Sequence, residues 1–178
     1  MKTEPIKIMF VCHGNICRST MAEFVMKDLV EHAGLADRFH IESAATSNEE
    51  IGNPVHPGTR RKLAEHGISC DGKRAVRLRS SDYGKFDLFV GMDSANIRNM
   101  RSLFGEDVQG KVRKLLEYPQ GVPTDMASDV ADPWCTGDFD TTYADVLRGC
   151  EALLEWLRPW CTETPYASRI AAPMPNAL

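Results

Sequence analysis

The chain begins with a short apolar run that leads, through a loop bounded by Cys12 and Arg18, into an amphipathic run. Residues 6–12, IKIMFVC, are apolar and β-branched, which predicts a strand buried on both faces. In residues 19–34 the apolar side chains recur at helical spacing. This segment therefore predicts a strand, a loop and a helix in succession, with the cysteine at the end of the strand.

Strand and helix patterns alternate along the rest of the sequence. Further strands are predicted at residues 39–45, 86–92 and 112–118, and further helices at residues 58–67, 94–105 and 139–160. Thr20 with Glu23 matches a capping box, and Asp93 is suited to cap the helix that follows it. The alternation predicts a single α/β domain with a parallel sheet covered on both faces. Such sheets bind ligands at the carboxyl ends of their strands, where Cys12 lies.

Composition excludes several classes of protein. The 178 residues suit one domain, and a net charge of −4 gives no sign of general nucleic-acid binding. No apolar run is long enough to span a bilayer, and Lys7 interrupts the only run that could resemble a signal peptide. We therefore expect a cytoplasmic protein. The six cysteines include no CxxC pair, so we expect mostly free thiols and no metal site.

The loop between Cys12 and Arg18 has the composition of an oxyanion site. Between a strand end and a helix start, successive backbone N–H groups can point inward at an anion. Gly14 allows close approach of the backbone, and Asn15 tolerates a left-handed conformation. Arg18 can hold two phosphate oxygens at once, and the same positive field favours a Cys12 thiolate. The pattern predicts a nucleophile held beneath a bound phosphate.

Two other interpretations of this loop are weaker. A cysteine is often only a small buried hydrophobic residue, but the strand before it and the helix after it favour a functional loop. A metal site built from Cys12, His13 and Cys17 is disfavoured, because adjacent ligands make a poor tetrahedral site and no downstream Cys/His cluster follows.

A thiolate that displaces a phosphate ester needs an acid to protonate the leaving oxygen. Asp132 is the leading candidate, because it lies in a long polar loop and is followed by Pro133, which restricts its backbone. Trp134 comes next and could form a wall for a flat ring. Asp125 and Asp129 compete for the same role.

These two motifs resemble those of one enzyme family. The segments VCHGNICRSTMAE and DPW are similar to the phosphate loop and acid loop of low-molecular-weight protein tyrosine phosphatases, and the similarity runs to about residue 160. The resemblance implies a four-stranded parallel sheet of order 2-1-3-4. It also implies a reaction through a phosphocysteine that uses no metal and no cofactor. We expect a phosphatase domain at 1–161 and a loosely ordered tail at 162–178.

By position, the resemblance makes Cys12 the nucleophile, Arg18 the phosphate clamp and Asp132 the general acid and then base. It makes the backbone of six loop residues the phosphate cradle: His13, Gly14, Asn15, Ile16, Cys17 and Arg18. Ser19 is implied to support the thiolate, and Ser43 to join Asn15 in holding the loop. Cys17 is implied to form a reversible disulfide with Cys12 on oxidation.

Three positions depart from the family pattern. Glu49 stands where an aromatic residue is common, so we expect an acidic wall of the substrate slot opposite Trp134. Lys73 and Val76 lie in a segment, KRAV, where the family often has His-x-Ala-Arg, which leaves open how the loop is supported from that side. His13 follows the nucleophile where an apolar residue is commoner, and we expect it at the rim of the slot.

The sequence thus favours a phosphotyrosine protein phosphatase, with phosphotyrosine proteins as substrates and a cognate tyrosine kinase as a candidate partner. We expect a monomer or weak dimer. Arsenate reduction on the same fold ranks low, because it needs two further cysteines near one another and Cys70 stands alone. A phosphoarginine phosphatase, suggested by Glu49, and a non-catalytic phosphopeptide-binding module remain as alternatives.

Overall fold

A computed structural model describes residues 4–118 and 122–162 and contains a four-stranded parallel sheet. Its strands are β1 (Ile6–Cys12), β2 (Phe39–Ala45), β3 (Leu88–Gly91) and β4 (Val112–Lys114), in the order β2-β1-β3-β4. Its α-helices are α1 (Arg18–His32), α2 (Pro57–Glu65), α3 (Ser94–Phe104), α4 (Pro133–Thr136) and α5 (Phe139–Thr162). The predicted α/β class and the strand order are confirmed.

The period of two in β1 directs its side chains alternately into two cores. Ile8 and Phe10 pack with the cluster that includes side chains of α1, α2 and α5. Met9 and Val11 face the opposite way and pack with Ile97 of α3. Since burial of each large apolar side chain contributes about 1.5–3 kcal/mol, the central strand is firmly fixed from both faces.

The register of the sheet sets the position of the loop. β1 pairs with β2 from Ile6–Phe39 to Cys12–Ala45, and with β3 on its other side. Cys12 is therefore the last residue of a strand that has neighbours on both edges. The loop that follows it begins at the carboxyl edge of the sheet, as the sequence predicts.

Two predicted strands are longer than those in the structure. β3 spans only Leu88–Gly91, and β4 ends at Lys114, where a 3₁₀ turn (Leu115–Glu117) begins. The backbone N–H of Lys114 donates to the Glu117 carboxylate at 3.0 Å, which turns the chain away from the sheet. The short helix α4 lies within the segment that the sequence predicts as a polar loop.

The predicted capping box of α1 is wrong. The helix begins at Arg18 after Cys17, and no side chain caps it. The Thr20 hydroxyl instead donates to the Asn15 carbonyl at 3.0 Å, and Glu23 takes part in contacts with other elements. The Asp93 cap of α3 is present, with its carboxylate accepting from Asn96 N at 2.7 Å.

The C-terminal helix reaches Thr162, and the tail predicted beyond it lies outside the described residues. Within the described part of the chain, none of the helices combines the length and the apolar character needed to cross a membrane.

Candidate active site

A pocket opens at the carboxyl end of β1, and the loop from Cys12 to Arg18 forms its floor. Glu49, Glu50, Asp132 and Trp134 line its sides. The structure therefore brings together the predicted nucleophile, clamp and acid, which lie at opposite ends of the sequence.

Two hydrogen-bond donors converge on the Cys12 sulfur. The Asn15 backbone nitrogen lies 3.3 Å from Cys12 Sγ, and the Ser19 hydroxyl oxygen lies 3.0 Å from it. Asn15 has φ of 60°, a left-handed conformation that turns its N–H back toward the start of the loop. Such donors stabilise an anionic sulfur, which is the nucleophilic form of a cysteine.

The Asn15 side chain is the centre of a buried polar network. Its Nδ2 group donates to Ser43 Oγ at 2.8 Å and to Ser19 Oγ at 2.9 Å, with Thr20 Oγ1 at 3.4 Å. Its Oδ1 atom accepts from the backbone N–H of Val76 at 3.1 Å. One amide thus ties the loop to β2, to α1 and to the segment after α2.

An ion pair beneath this network supplies the support that the sequence left open. Lys73 Nζ lies 3.2 Å from Glu23 Oε2 and donates to the Ser43 carbonyl at 3.0 Å. The Ser43 hydroxyl donates to the same Glu23 carboxylate. Only 12% of the Lys73 side chain and 5% of the Glu23 side chain are exposed. Lys73 therefore stabilises Ser43, and through it Asn15.

Arg18 is buried between two carboxylates. Its Nη1 donates to Asp93 Oδ2 at 2.6 Å, and its Nη2 lies 3.0 Å from Asp132 Oδ2. Burial alone lowers the pKa of Arg18, but the charges of Cys12, Asp93 and Asp132 raise it above its ordinary value. The guanidinium is thus a fixed cation at the floor of the pocket.

Asp93 is a site residue that the sequence analysis treated only as a helix cap. One of its carboxylate oxygens caps α3, and the other holds Arg18. The signal that could have identified it is its place just after β3, since ligand-site residues gather at the carboxyl ends of parallel strands.

Among the three candidate acids, Asp132 is the one that lines the pocket. It caps α4 by accepting from Trp134 N at 3.1 Å. Asp125 instead pairs with Arg101 at 2.8 Å, and Asp129 pairs with Lys114 at 2.9 Å. The geometry therefore favours Asp132 for proton transfer.

The rim of the pocket has an aromatic side and a polar side. Trp134 is 66% exposed, and its inner edge meets the ring of His56 with centroids 5.9 Å apart. His13 and Glu49 also line the pocket, and His13 Nε2 lies 3.0 Å from Glu49 Oε2. His13 is about half exposed at the pocket, as expected for a rim residue, and Glu49 lines the same pocket as Trp134 and pairs with His13. No motif in the sequence indicates that His56 contacts Trp134.

Cys17 also lines the pocket, close to the Thr59 hydroxyl. Burial, together with the nearby Cys12 charge, raises the pKa of Cys17 to about 12, although Thr59 partly offsets this rise. Cys17 is consequently held as a neutral thiol beside a more reactive neighbour.

The comparisons with known proteins agree with this geometry. Residues 7–160 match the family model described as "Low molecular weight phosphotyrosine protein phosphatase". The low molecular weight protein-tyrosine-phosphatase YfkJ of Bacillus subtilis is 40% identical over 84% of this chain and 94% of its own length. The corresponding PtpA of Staphylococcus aureus is 34% identical over 85% of this chain and 94% of its own length.

Solved structures give the same result. The crystal structure of B. subtilis YfkJ superposes with a TM-score of 0.81 at 38% identity and covers 88% of this chain and 96% of that chain. The low molecular weight protein tyrosine phosphatase SP-PTP of Streptococcus pyogenes superposes with a TM-score of 0.74 at 40% identity, covering 85% of this chain and 93% of that chain.

The Lys73–Glu23 pair gives a prediction about stability. Removing one partner of a buried ion pair costs about 3–5 kcal/mol, because the other charge is left buried. Glu23 keeps a second partner, Lys27, at 2.6 Å, so we expect Lys73→Met to lower the free energy of unfolding by about 2–3 kcal/mol in urea denaturation.

Lys27→Met is the matched control, because it removes the other lysine from the same carboxylate. The Lys27 side chain is 44% exposed, so its loss should cost less than about 1 kcal/mol. Equal losses for the two variants would refute a special role of Lys73.

Proposed function

The chain belongs to the low-molecular-weight protein-tyrosine-phosphatase family, and we propose that it hydrolyses phosphotyrosine in proteins through a phosphocysteine intermediate. The observation that carries this proposal is the position of the Cys12 thiol within one pocket beside Arg18 and Asp132. A nucleophile, a fixed cation and a carboxyl group are the three parts that a thiolate needs to displace a phosphate ester.

In the first step, Cys12 Sγ attacks phosphorus while the bond from phosphorus to the ester oxygen breaks. Asp132 donates its proton to the leaving oxygen, which departs as a phenol. Arg18 keeps its Nη1 hydrogen bond to Asp93 and exchanges its contact with Asp132 for phosphate oxygens. The cradle of backbone amides from His13 to Arg18 balances the remaining negative charge.

In the second step, a water attacks the phosphocysteine and the S–P bond breaks. Asp132, now ionised, accepts a proton from that water, and the sulfur leaves as a thiolate. Ser19 Oγ and the Asn15 N–H donate to this sulfur, which makes it a better leaving group. Inorganic phosphate is then released, and Cys12 is ready for another cycle.

The walls of the pocket support an aromatic substrate. Trp134 offers one face for a phenyl ring, and Ile16 adds an apolar contact on the floor. Glu49, which also lines the pocket, stands where the family often has an aromatic residue, and it pairs with His13. We therefore propose that phosphotyrosine is held by one ring contact and by its phosphate, with Glu49 and His13 meeting the flanking residues.

The alternative functions are less well supported by the contacts. Phosphoarginine hydrolysis would use the Glu49 carboxylate to bind a guanidinium, but that carboxylate already has a partner. Arsenate reduction would need two further cysteines near one another to pass on a disulfide, and Cys70 is buried and does not line the pocket. A module that only binds phosphopeptides would not need Asp132 beside Arg18.

The proposal extends to the setting of the enzyme. We propose that it acts in the cytoplasm as a monomer or weak dimer on proteins phosphorylated by a cognate tyrosine kinase. The family membership supports the phosphotyrosine-protein substrates in this proposal.

Leaving-group dependence tests the roles of Cys12 and Asp132. Cys12→Ser should abolish hydrolysis of any aryl phosphate, because an alcohol is a far weaker nucleophile than a thiolate. Asp132→Asn should lower kcat/KM for phenyl phosphate by about 10²–10⁴-fold. It should change kcat/KM for 2,4-dinitrophenyl phosphate far less, since that leaving group needs little protonation.

Asp125→Asn is the control, because Asp125 lies in the same loop but pairs with Arg101 outside the pocket. It should leave kcat/KM for both esters near the wild-type value. Equal losses for the two esters in Asp132→Asn would remove the proton-transfer role from Asp132.

Oxidation tests the proposed role of Cys17. Hydrogen peroxide should convert the Cys12 thiolate to a sulfenic acid, which the Cys17 thiol then attacks, forming a disulfide and releasing water. Activity lost to peroxide should therefore return on treatment with dithiothreitol in the wild type, and return poorly in Cys17→Ser. Cys135→Ser, which removes an exposed thiol, should recover like the wild type. Full recovery of Cys17→Ser would contradict the disulfide.

A further inference from the structure

Lys114 is the most buried cation near the acid loop, the name used here for residues 127–132, which lead to and include Asp132. It is the last residue of β4, and its side chain is 1% exposed. A lysine is rarely buried to this extent unless its ammonium is fully paired, because an unpaired buried charge is very costly. Lys114 Nζ has three acceptors: Ala127 O at 2.7 Å, Ser94 Oγ at 2.9 Å and Asp129 Oδ1 at 2.9 Å.

These acceptors come from two separate parts of the chain. Ala127 and Asp129 belong to the loop that leads to Asp132, whereas Ser94 is the first residue of α3. Asp129 Oδ1 also accepts from the backbone N–H of Ser94 at 3.0 Å. The ammonium therefore joins the acid loop to the N-terminus of α3.

The same helix terminus holds the phosphate clamp. Asp93, which caps α3, binds Arg18 at 2.6 Å. One residue earlier, the Met92 carbonyl accepts from Val130 N at 2.8 Å. Residues 92–94 thus contact Arg18 on one side and the acid loop on the other, so they fix the distance between clamp and acid.

We infer that Lys114 is a positioning residue for the general acid, acting by clamping residues 127–129 against the start of α3 and thereby holding Asp132 beside Arg18. This inference rests on the proposed function. Lys114 does not line the pocket and so takes no direct part in the chemistry.

The charges around Asp129 agree with an attachment of residues 127–129 by Lys114. Partial burial alone raises the pKa of Asp129, but the hydrogen bond and charge of Lys114, with the donors of Ser94, lower it below its usual value. After residues 127–129, Ala131 is held by α5. Its N–H donates to Asp145 Oδ2 at 3.2 Å, and its carbonyl accepts from the Thr142 hydroxyl at 2.8 Å. Lys114 provides the charged anchor on the upstream side.

The test compares Lys114→Met with Lys111→Met. Lys111 directly precedes β4 and is also buried, but it donates to the carbonyls of Tyr83 and Phe86, away from the acid loop. Both variants lose a buried ammonium, so a general loss of stability should affect them alike. Asp129→Asn is a milder second variant, since the Asp129 side chain is 52% exposed and its replacement keeps the shape of the loop.

Displacement of a catalytic group by about 1 Å can cost about 10²-fold in rate. We expect Lys114→Met to lower kcat/KM for phenyl phosphate by about 10-fold or more, and for 2,4-dinitrophenyl phosphate by no more than about 2-fold. Competitive inhibition by inorganic phosphate should be unchanged, because the cradle is intact. In an Asp132→Asn background, Lys114→Met should cause no further loss for phenyl phosphate. Asp129→Asn should lower the ratio of kcat/KM for phenyl phosphate to kcat/KM for 2,4-dinitrophenyl phosphate, as Lys114→Met does.

Two results would overturn the inference: equal losses for the two esters in Lys114→Met, or the same shift in Lys111→Met. If Lys114→Met does not fold, Asp129→Asn decides by the same ratio. A wild-type enzyme inactive toward both esters would overturn the proposed function itself, and the inference with it.

Discussion

The open shape of the phosphate loop depends on the side-chain amide of Asn15. Backbone amides that point inward at an anion cannot bond to one another, so a loop of this kind must be held from outside. Asn15 does this with hydrogen bonds to Ser43, Ser19 and the backbone of Val76, while its left-handed backbone directs an N–H at Cys12 Sγ. Because the amide is buried, each unmade bond would leave a costly unpaired group.

A second constraint couples the loop to the rest of the site. Arg18 is held by Asp93, and Asp93 is fixed because it caps α3. The start of α3 also meets the acid loop, through Ser94 and Asp129. Arg18 and Asp132, the proposed clamp and acid, therefore share one rigid support, although 114 positions separate them in the sequence. Such preorganisation is the usual source of catalytic power in sites where charge is transferred.

Local patterns in the sequence predict the sheet, the loop at the end of β1 and the position of Cys12 and Arg18 at the two ends of that loop. The sheet follows from the strand and helix periods of the apolar residues. The loop follows from its cysteine, glycine, asparagine and arginine, which together are typical of an oxyanion site. The proline and tryptophan neighbours of Asp132 favour it over Asp125 and Asp129, and Asp132 lines the pocket. Where prediction failed, a specific side-chain contact decided. Glu23 leaves the predicted capping box because Ser43 and Lys73 surround it, and β4 ends early because Glu117 binds its backbone. The place of Asp93 just after β3 is a sequence signal for a site residue, whereas the contacts of Lys114 cannot be read from the sequence, since its partners come from distant segments.

Covalent trapping tests the central claim most directly. The protein is mixed with an aryl phosphate, quenched rapidly with acid, and examined by intact mass spectrometry and peptide mapping. The account predicts a mass increase of one phosphoryl group, located on Cys12 and absent when the reaction is allowed to finish. A phosphoryl group on the neighbouring His13, or turnover without any covalent intermediate, would contradict it.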